Sequence, residues 1–103
     1  MTRDEYLLFW YGITERQFKR ILKKQGNGCA GCGKPAVTRS LHVDHSHATG
    51  VVRGILCPTC NRALALARDD PATLRKLSNY LLKPPAIAVV GTIVVPRVRK
   101  RRR

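Results

Sequence analysis

Two Cys-x-x-Cys pairs, with an Asp-His dipeptide between them, are the residues of this sequence best suited to chemistry. The four cysteines are Cys29, Cys32, Cys57 and Cys60. Two such pairs supply four thiolates, the ligand set of a tetrahedral structural zinc site. Asp44-His45 lies in the loop that this zinc would close, and Asn61 directly follows the last cysteine. Metal-assisted cleavage of a phosphodiester requires groups of this kind, so we predict chemically active residues beside a structural zinc.

Three histidines, His42, His45 and His47, fall close together around Asp44. Taken alone, such a cluster often consists of solvent-exposed strand and turn residues. On a regular strand His42 and Asp44 face one way and His45 faces the other. If the strand instead ends at Asp44 and the chain turns, His45 and Asp44 point toward one centre.

The composition favours a basic, single-domain protein that binds a polyanion. The chain has 103 residues, with 20 Lys and Arg against 6 Asp and Glu, which gives a net charge of +14. Nucleic acid is the commonest partner for such a charge, and an acidic membrane surface is the alternative. No apolar stretch is long enough to span a bilayer. A chain this short buries a small core and usually needs a staple such as a metal or a second subunit.

The N-terminal residues indicate a cytoplasmic protein. Arg3, Asp4 and Glu5 precede the first apolar run, so a basic region followed by a cleavage site is missing and we predict no signal peptide. In a reducing compartment cysteines are more often metal ligands than disulfides.

Capping and periodicity predict helices around a short β-hairpin. Capping boxes at Thr2–Glu5 and Thr14–Gln17 each begin a helix. The remaining predicted elements are a strand over 41–44, a turn over 47–50, a strand over 51–56, a helix from Pro58 to about Arg68, and a helix that Asp70 caps and Lys83-Pro84-Pro85 ends.

The C-terminal part differs in composition from the rest. Residues 86–95 are apolar and β-branched around Gly91-Thr92, which is typical of a hairpin turn. Residues 97–103 are almost entirely basic, and such runs are usually disordered until bound. We therefore divide the chain into a helical segment (1–25), a zinc-bound core with its following helix (26–83), and an apolar β-prone segment with a basic tail (84–103).

The order of these motifs resembles the phage recombination endonuclease VII family, a branch of the His-Asn-His (HNH), or ββα-metal (His-Me finger), nucleases. The resemblance runs through Tyr11–Thr14, Cys29–Gly33, Asp44–Gly50, Val52–Cys57 and Cys60–Leu64, and fades after Leu82. It implies an α+β fold with a small zinc-stapled ββα-metal core flanked by helices. It also implies a homodimer and Mg2+- or Mn2+-dependent cleavage of branched DNA such as four-way (Holliday) junctions.

The resemblance also implies roles for individual residues. The four cysteines would bind zinc, Asp44 and Asn61 would hold the catalytic metal, and His45 would be the general base. His42 and His47 match flanking positions, where either a phosphate contact or a structural hydrogen bond fits. Arg53 and Arg62 are candidates for clamping a phosphate. The last glutamate is Glu15, so the carboxylates after the motif are Asp69 and Asp70, which suit the cap of the following helix.

Three functions remain compatible with the sequence. The first is a structure-selective endonuclease that resolves DNA branches for a phage inside its host cell. The second is a general or site-specific HNH nicking endonuclease, which the motif does not distinguish from the first. The third is a non-catalytic zinc module that binds nucleic acid. In each case the tail would bind DNA phosphates without selectivity, through Arg97, Arg99, Lys100, Arg101, Arg102 and Arg103.

Overall fold

A computed structural model describes residues 1–35 and 40–96. The chain divides into two compact units, Met1–Asp69 and a second that begins at Asp70. In chain order the elements are α1 (Arg3–Tyr11), α2 (Glu15–Lys24), β1 (His42–His45), β2 (Val52–Leu56), α3 (Pro58–Leu66), α4 (Pro71–Leu82) and α5 (Pro85–Val90). The predicted α+β class is confirmed. The three-segment division at 1–25, 26–83 and 84–103 stays a prediction.

Both N-terminal helices begin with the predicted capping boxes. The Thr2 hydroxyl accepts a hydrogen bond from the Glu5 N–H at 3.1 Å, and the Glu5 carboxylate accepts one from the Thr2 N–H at 2.7 Å. Thr14 and Gln17 make the same reciprocal pair at the start of α2. Gly12 ends α1 with φ 72°, a left-handed conformation that glycine adopts without steric cost. These local signals fix where each helix starts and how α1 passes into α2.

The two strands form an antiparallel hairpin with an irregular register. His42 pairs with Leu56 and Asp44 with Gly54, but His45 pairs with Val52 rather than with Arg53. Arg53 is therefore the additional residue of a β-bulge, which bends a strand and re-aims its side chains. Strand β1 runs through His45 and so does not end at Asp44. The departure from a regular strand at Asp44 and His45 is therefore a bulge and not a turn of the chain.

Each face of the hairpin packs on its own apolar cluster. Val43 and Ile55 lie with Leu7 of α1 and Phe18 of α2 in one buried cluster. Leu56, next to Ile55 on β2, lies in a second buried cluster with two of the cysteines. Since adjacent strand residues point to opposite faces, the helices cover one face of the hairpin and the cysteine region covers the other.

Gln25 makes three side-chain hydrogen bonds, two of which link the end of α2 to the hairpin. Its side-chain N–H2 donates to the Gly28 carbonyl at 3.0 Å and to the Ile55 carbonyl at 2.9 Å. Its side-chain oxygen accepts from the Ile55 N–H at 2.9 Å. The Ile55 backbone is buried on a two-stranded sheet, and Gln25 satisfies the groups that a third strand would otherwise pair. Nothing in the sequence pattern distinguishes this glutamine from a surface residue.

The second unit contains one predicted helix and one that was not predicted. Asp70 caps α4 by accepting from the Ala72 N–H at 3.1 Å and from the Thr73 hydroxyl at 2.8 Å, as expected. The predicted hairpin over 86–95 is wrong, because Pro85–Val90 forms α5. Pro85 at the first helical position and the alanines after it favour a helix, and they outweigh the β-branched composition. Gly91 then ends α5.

The predicted basic tail over 97–103 lies outside the described residues and stays a prediction. Among the helices that the structure describes, none is long and apolar enough to cross a membrane.

We predict that Gln25→Ala destabilises the protein although Gln25 lies outside the apolar core. Removal of the side chain leaves the N–H of fully buried Ile55 without its partner. An unsatisfied buried donor costs about 1–3 kcal/mol, which thermal or urea unfolding would detect. Lys24→Ala, at the exposed neighbouring position, serves as the control and should change the free energy of unfolding little. Equal stability of the two variants would contradict the assigned role of Gln25.

Candidate metal centre and the Asp44 cavity

The four cysteines converge at the junction of the hairpin with α3. Their Sγ atoms all lie within 4.8 Å of one another. Zn–S bonds of about 2.3 Å place the sulfurs of a tetrahedral site about 3.8 Å apart, and Cys32 and Cys57 are already 3.9 Å apart. Cys29 and Cys57 are buried, whereas Cys32 is exposed. The four thiols fit a zinc ion with no rearrangement of the backbone.

Backbone N–H groups point at these sulfurs and stabilise thiolates. The Cys29 sulfur accepts from the N–H groups of Gly31 and Cys57, each at 3.3 Å. Burial opposes ionisation of Cys29, but the backbone hydrogen bonds outweigh it and lower the pKa of this thiol to about 6. The hydrogen bond from the Cys60 N–H lowers the pKa of Cys57. Burial and the neighbouring thiols raise the pKa of Cys60 to about 12, so a metal ion would displace its proton.

Gly31 allows the two cysteine pairs to approach each other. A Cβ atom at this position would lie 3.0 Å from the Cys60 sulfur and 3.1 Å from the Cys60 Cβ. Both distances are shorter than ordinary van der Waals contact. A side chain at position 31, directly before Cys32, would therefore crowd Cys60 and oppose closure of the cluster.

The hairpin and α3 also bring together the residues that the sequence predicts to be chemically active. A cavity of about 220 Å³ is lined by Tyr11, His42, Val43, Asp44, His45, His47 and Asn61. Asp44 and His45 come from β1, and Asn61 comes from the first turn of α3, directly after the last cysteine. The cysteine cluster therefore fixes the position of Asn61 relative to the hairpin. The rings of His45 and His47 are 5.2 Å apart, centroid to centroid.

The carboxylate of Asp44 is buried and pairs with Arg53. Asp44 is only 5% exposed. The Arg53 Nε donates to Asp44 Oδ2 at 2.8 Å, and its Nη2 donates to Oδ1 at 3.1 Å. The hydrogen bond with Asp44 raises the pKa of Arg53. A buried charged group needs such a partner, and Arg53, on the bulge, provides it for Asp44.

A second carboxylate, from Asp69, reaches the same arginine. Asp69 Oδ1 accepts from Arg53 Nη2 at 3.4 Å, and its Oδ2 lies 3.9 Å from His47 Nδ1. Arg68 and Asp69 both have left-handed backbones, with φ 57° and 55°. The expectation that Asp69 and Asp70 both cap α4 is therefore confirmed for Asp70 and wrong for Asp69.

The remaining predicted residues take different positions. His42 lines the cavity from an exposed position on β1, and Arg62 is exposed on α3 beside Asn61. Arg53, a candidate for clamping a phosphate, is hydrogen-bonded to two carboxylates in the structure. Contact of Arg53 or Arg62 with phosphate stays a prediction. The interaction that the sequence did not reveal is the Asp44–Arg53–Asp69 triad, because it depends on the bulge and on the left-handed turn after α3.

The fold is of the α+β class, with a possible zinc-binding group of four cysteines at the junction of a β-hairpin and a helix and with Asp, His and Asn side chains on one cavity. Residues 4–83 match the family described as recombination endonuclease VII. The chain belongs to that family, and the resemblance stated from the sequence is confirmed.

Two curated relatives are proteins of mycobacteriophages. The chain is 42% identical over 92 residues to the Gene 59 protein of Mycobacterium phage D29, an alignment that covers 87% of this chain and 56% of the relative. It is 40% identical to the Gene 59 protein of Mycobacterium phage L5, with the same coverage. This chain thus spans about half the length of these relatives. No solved structure gives a significant match.

We predict that the chain binds about one zinc ion and that Cys57→Ser abolishes cooperative unfolding. Cys57 is both a thiolate of the cluster and the N-cap of α3, and structural zinc sites supply much of the folding energy of small domains. Elemental analysis and thermal unfolding would measure both effects. Because protons compete for the thiolates, zinc affinity should fall as the pH is lowered. A metal-free chain with an unchanged unfolding transition would contradict this assignment.

Proposed function

We propose that this protein is a metal-dependent endodeoxyribonuclease that cleaves branched DNA, such as four-way junctions, during phage growth inside the host cell. The observation that carries the proposal is the convergence of Asp44, His45 and Asn61 on one cavity beside the cysteine cluster. Membership of the recombination endonuclease VII family supports the same reaction class.

The cavity contains ligands that suit Mg2+ or Mn2+. Asp44 offers a carboxylate and Asn61 an amide oxygen, and hard cations prefer oxygen ligands. Mg2+ is commonly bound through one or two carboxylates together with waters and substrate phosphates, so this small ligand set is sufficient. When bound, such an ion supplies charge stabilisation for the phosphate and for the leaving oxygen. The cysteine cluster has four sulfur ligands and leaves no open coordination position, which suits a structural role.

His45 is suited to act as the general base. It is half-buried at the end of β1 and lines the cavity next to Asp44. One imidazole nitrogen accepts the proton of the attacking water while Asp44, held by Arg53, keeps its negative charge. His47, two residues further along, is 75% exposed at its side chain and so can contact a phosphate of the DNA.

The charge distribution supports a DNA substrate. The net charge is +14, and the exposed side of α2 carries Arg16, Lys19, Arg20, Lys23 and Lys24. These residues either contact phosphates or form a solvated helix face. The tail over 97–103 adds six basic residues that neutralise phosphate wherever they lie on DNA.

A homodimer would place two active sites symmetrically, as resolution of a four-way junction requires. Exposed apolar side chains provide surface that a partner would bury. Phe9 and Trp10 of α1 are 70% and 62% exposed, and Leu81 of α4 is 77% exposed. Large apolar side chains left this exposed on so small a chain suit a protein–protein contact.

We predict that His45→Ala loses most of the cleavage activity and retains zinc and junction binding. Removal of a general base typically costs about 10²–10⁴-fold in rate, and His45 is not a ligand of the cysteine cluster. The assay offers a four-way junction and a matched linear duplex side by side, with Mg2+ or Mn2+. Ser46→Ala, at the adjacent position, is the matched control and should cleave within a few-fold of the natural protein.

The outcome separates the three functions. Preferential cutting of the junction supports the proposal, whereas equal nicking of both substrates indicates a general HNH nuclease. Binding without any cleavage by the natural protein indicates a non-catalytic zinc module. A His45→Ala protein that cuts within a few-fold of the natural chain would remove His45 from the mechanism.

A further inference from the structure

We propose that Asp69 is a positioning residue that acts through Arg53 to keep Asp44 in a state that binds a divalent cation. The inference rests on the proposed function, because it takes Asp44 as a ligand of the catalytic metal. It assigns a role to a carboxylate that lies outside the cavity, on the turn after α3.

The first observation is the side from which Arg53 approaches Asp44. The cavity is lined by Asp44, His45 and Asn61, but not by Arg53. Arg53 lines a separate groove along α2, of about 700 Å³, together with Arg20 and Lys24. The guanidinium therefore supports the carboxylate from outside the cavity. Each Asp44 oxygen accepts one hydrogen bond from Arg53 and retains lone pairs for a second partner.

The second observation is that two carboxylates, Asp44 and Asp69, share the single positive charge of the Arg53 guanidinium. Arg53 Nη2 lies 3.1 Å from Asp44 Oδ1 and 3.4 Å from Asp69 Oδ1. If Arg53 paired with Asp44 alone, the two charges would cancel and an approaching cation would meet a neutral site. With Asp69 present, the three groups carry a net charge of −1. Because charge interactions are strong around a buried group, Asp69 preserves the attraction of Asp44 for a metal ion.

The third observation is the left-handed backbone turn that places Asp69 beside Arg53. Two consecutive residues, Arg68 and Asp69, are left-handed, and the Asp69 N–H donates to the Leu64 carbonyl at 2.8 Å to close the end of α3. Left-handed non-glycine residues carry a cost and are retained where the surrounding structure fixes them. This turn directs the Asp69 carboxylate back to Arg53 and to within 3.9 Å of His47.

Outer partners of metal ligands fix the orientation and charge of those ligands, and their loss typically costs about 10–100-fold in metal affinity. Arg53 would be such a partner of Asp44, and Asp69 would be the group that fixes Arg53. Asp70 offers a matched comparison, because it lies at the adjacent position and instead caps α4.

The test is calorimetric titration of the full-length, zinc-loaded chain with Mn2+. We expect Asp69→Asn to weaken Mn2+ binding by about tenfold. Asp70→Asn removes the same charge one residue away and keeps a good helix cap, so its affinity should stay within about twofold of the natural chain. Asp69→Glu retains the charge and should lose less affinity than Asp69→Asn. Zinc content and thermal unfolding of every variant are measured in parallel.

Equal Mn2+ affinities of Asp69→Asn and Asp70→Asn would overturn the inference. Asp44→Asn tests the proposed function separately, because unchanged Mn2+ binding in that variant would remove Asp44 from the metal site. Should Asp69→Asn fail to fold, Arg53→Lys decides, since it keeps the charge and loses the paired contacts with Asp44. Unchanged Mn2+ affinity in Arg53→Lys would then also overturn the inference.

Discussion

The convergence of four cysteine sulfurs is the constraint on which the first unit of this protein depends. The hairpin has only two strands, β1 and β2, and an isolated hairpin is marginally stable in water. One face packs on Leu7 and Phe18 from the N-terminal helices, and the other face packs on the cysteine cluster. Cys57 ends the connection from β2 and caps α3, while Cys60 lies in the first turn of that helix. The angle between hairpin and helix, and with it the position of Asn61, follows from the cluster.

The buried carboxylate of Asp44 is the second constraint on the structure of the first unit. Asp44 is nearly inaccessible to water, so its charge must be balanced from within the protein. The bulge inserts Arg53 as an extra residue whose side chain pairs with Asp44, and the turn after α3 adds Asp69 beside the guanidinium. The same irregularities would be defects in a purely structural hairpin. At the proposed metal site they would provide Asp44 with charge and orientation together.

Much of this architecture could be predicted from local signals in the sequence. The capping boxes at Thr2 and Thr14, the cap at Asp70 and the alternation around Val43 depend on neighbouring residues, so they are readable without a structure. The Cys-x-x-Cys spacing likewise predicts the cluster.

The features that could not be predicted are non-local or depend on competition between weak preferences. Gln25 bonds to Ile55, 30 positions away, and Arg53 meets Asp44 only because of the bulge. The segment after Pro85 contains both helix-favouring alanines and strand-favouring valines, and intrinsic propensities alone do not decide between them.

We propose that Asp44 and Asn61 hold a divalent cation at a site separate from the cysteine cluster. Anomalous diffraction from crystals of the zinc-loaded protein grown with Mn2+, collected at the absorption edges of both metals, tests it most directly. We expect a zinc peak enclosed by the sulfurs of Cys29, Cys32, Cys57 and Cys60. We also expect a separate manganese peak in contact with the side-chain oxygens of Asp44 and Asn61. A manganese peak away from these two residues, with Asp44 still bound only to Arg53, would contradict it.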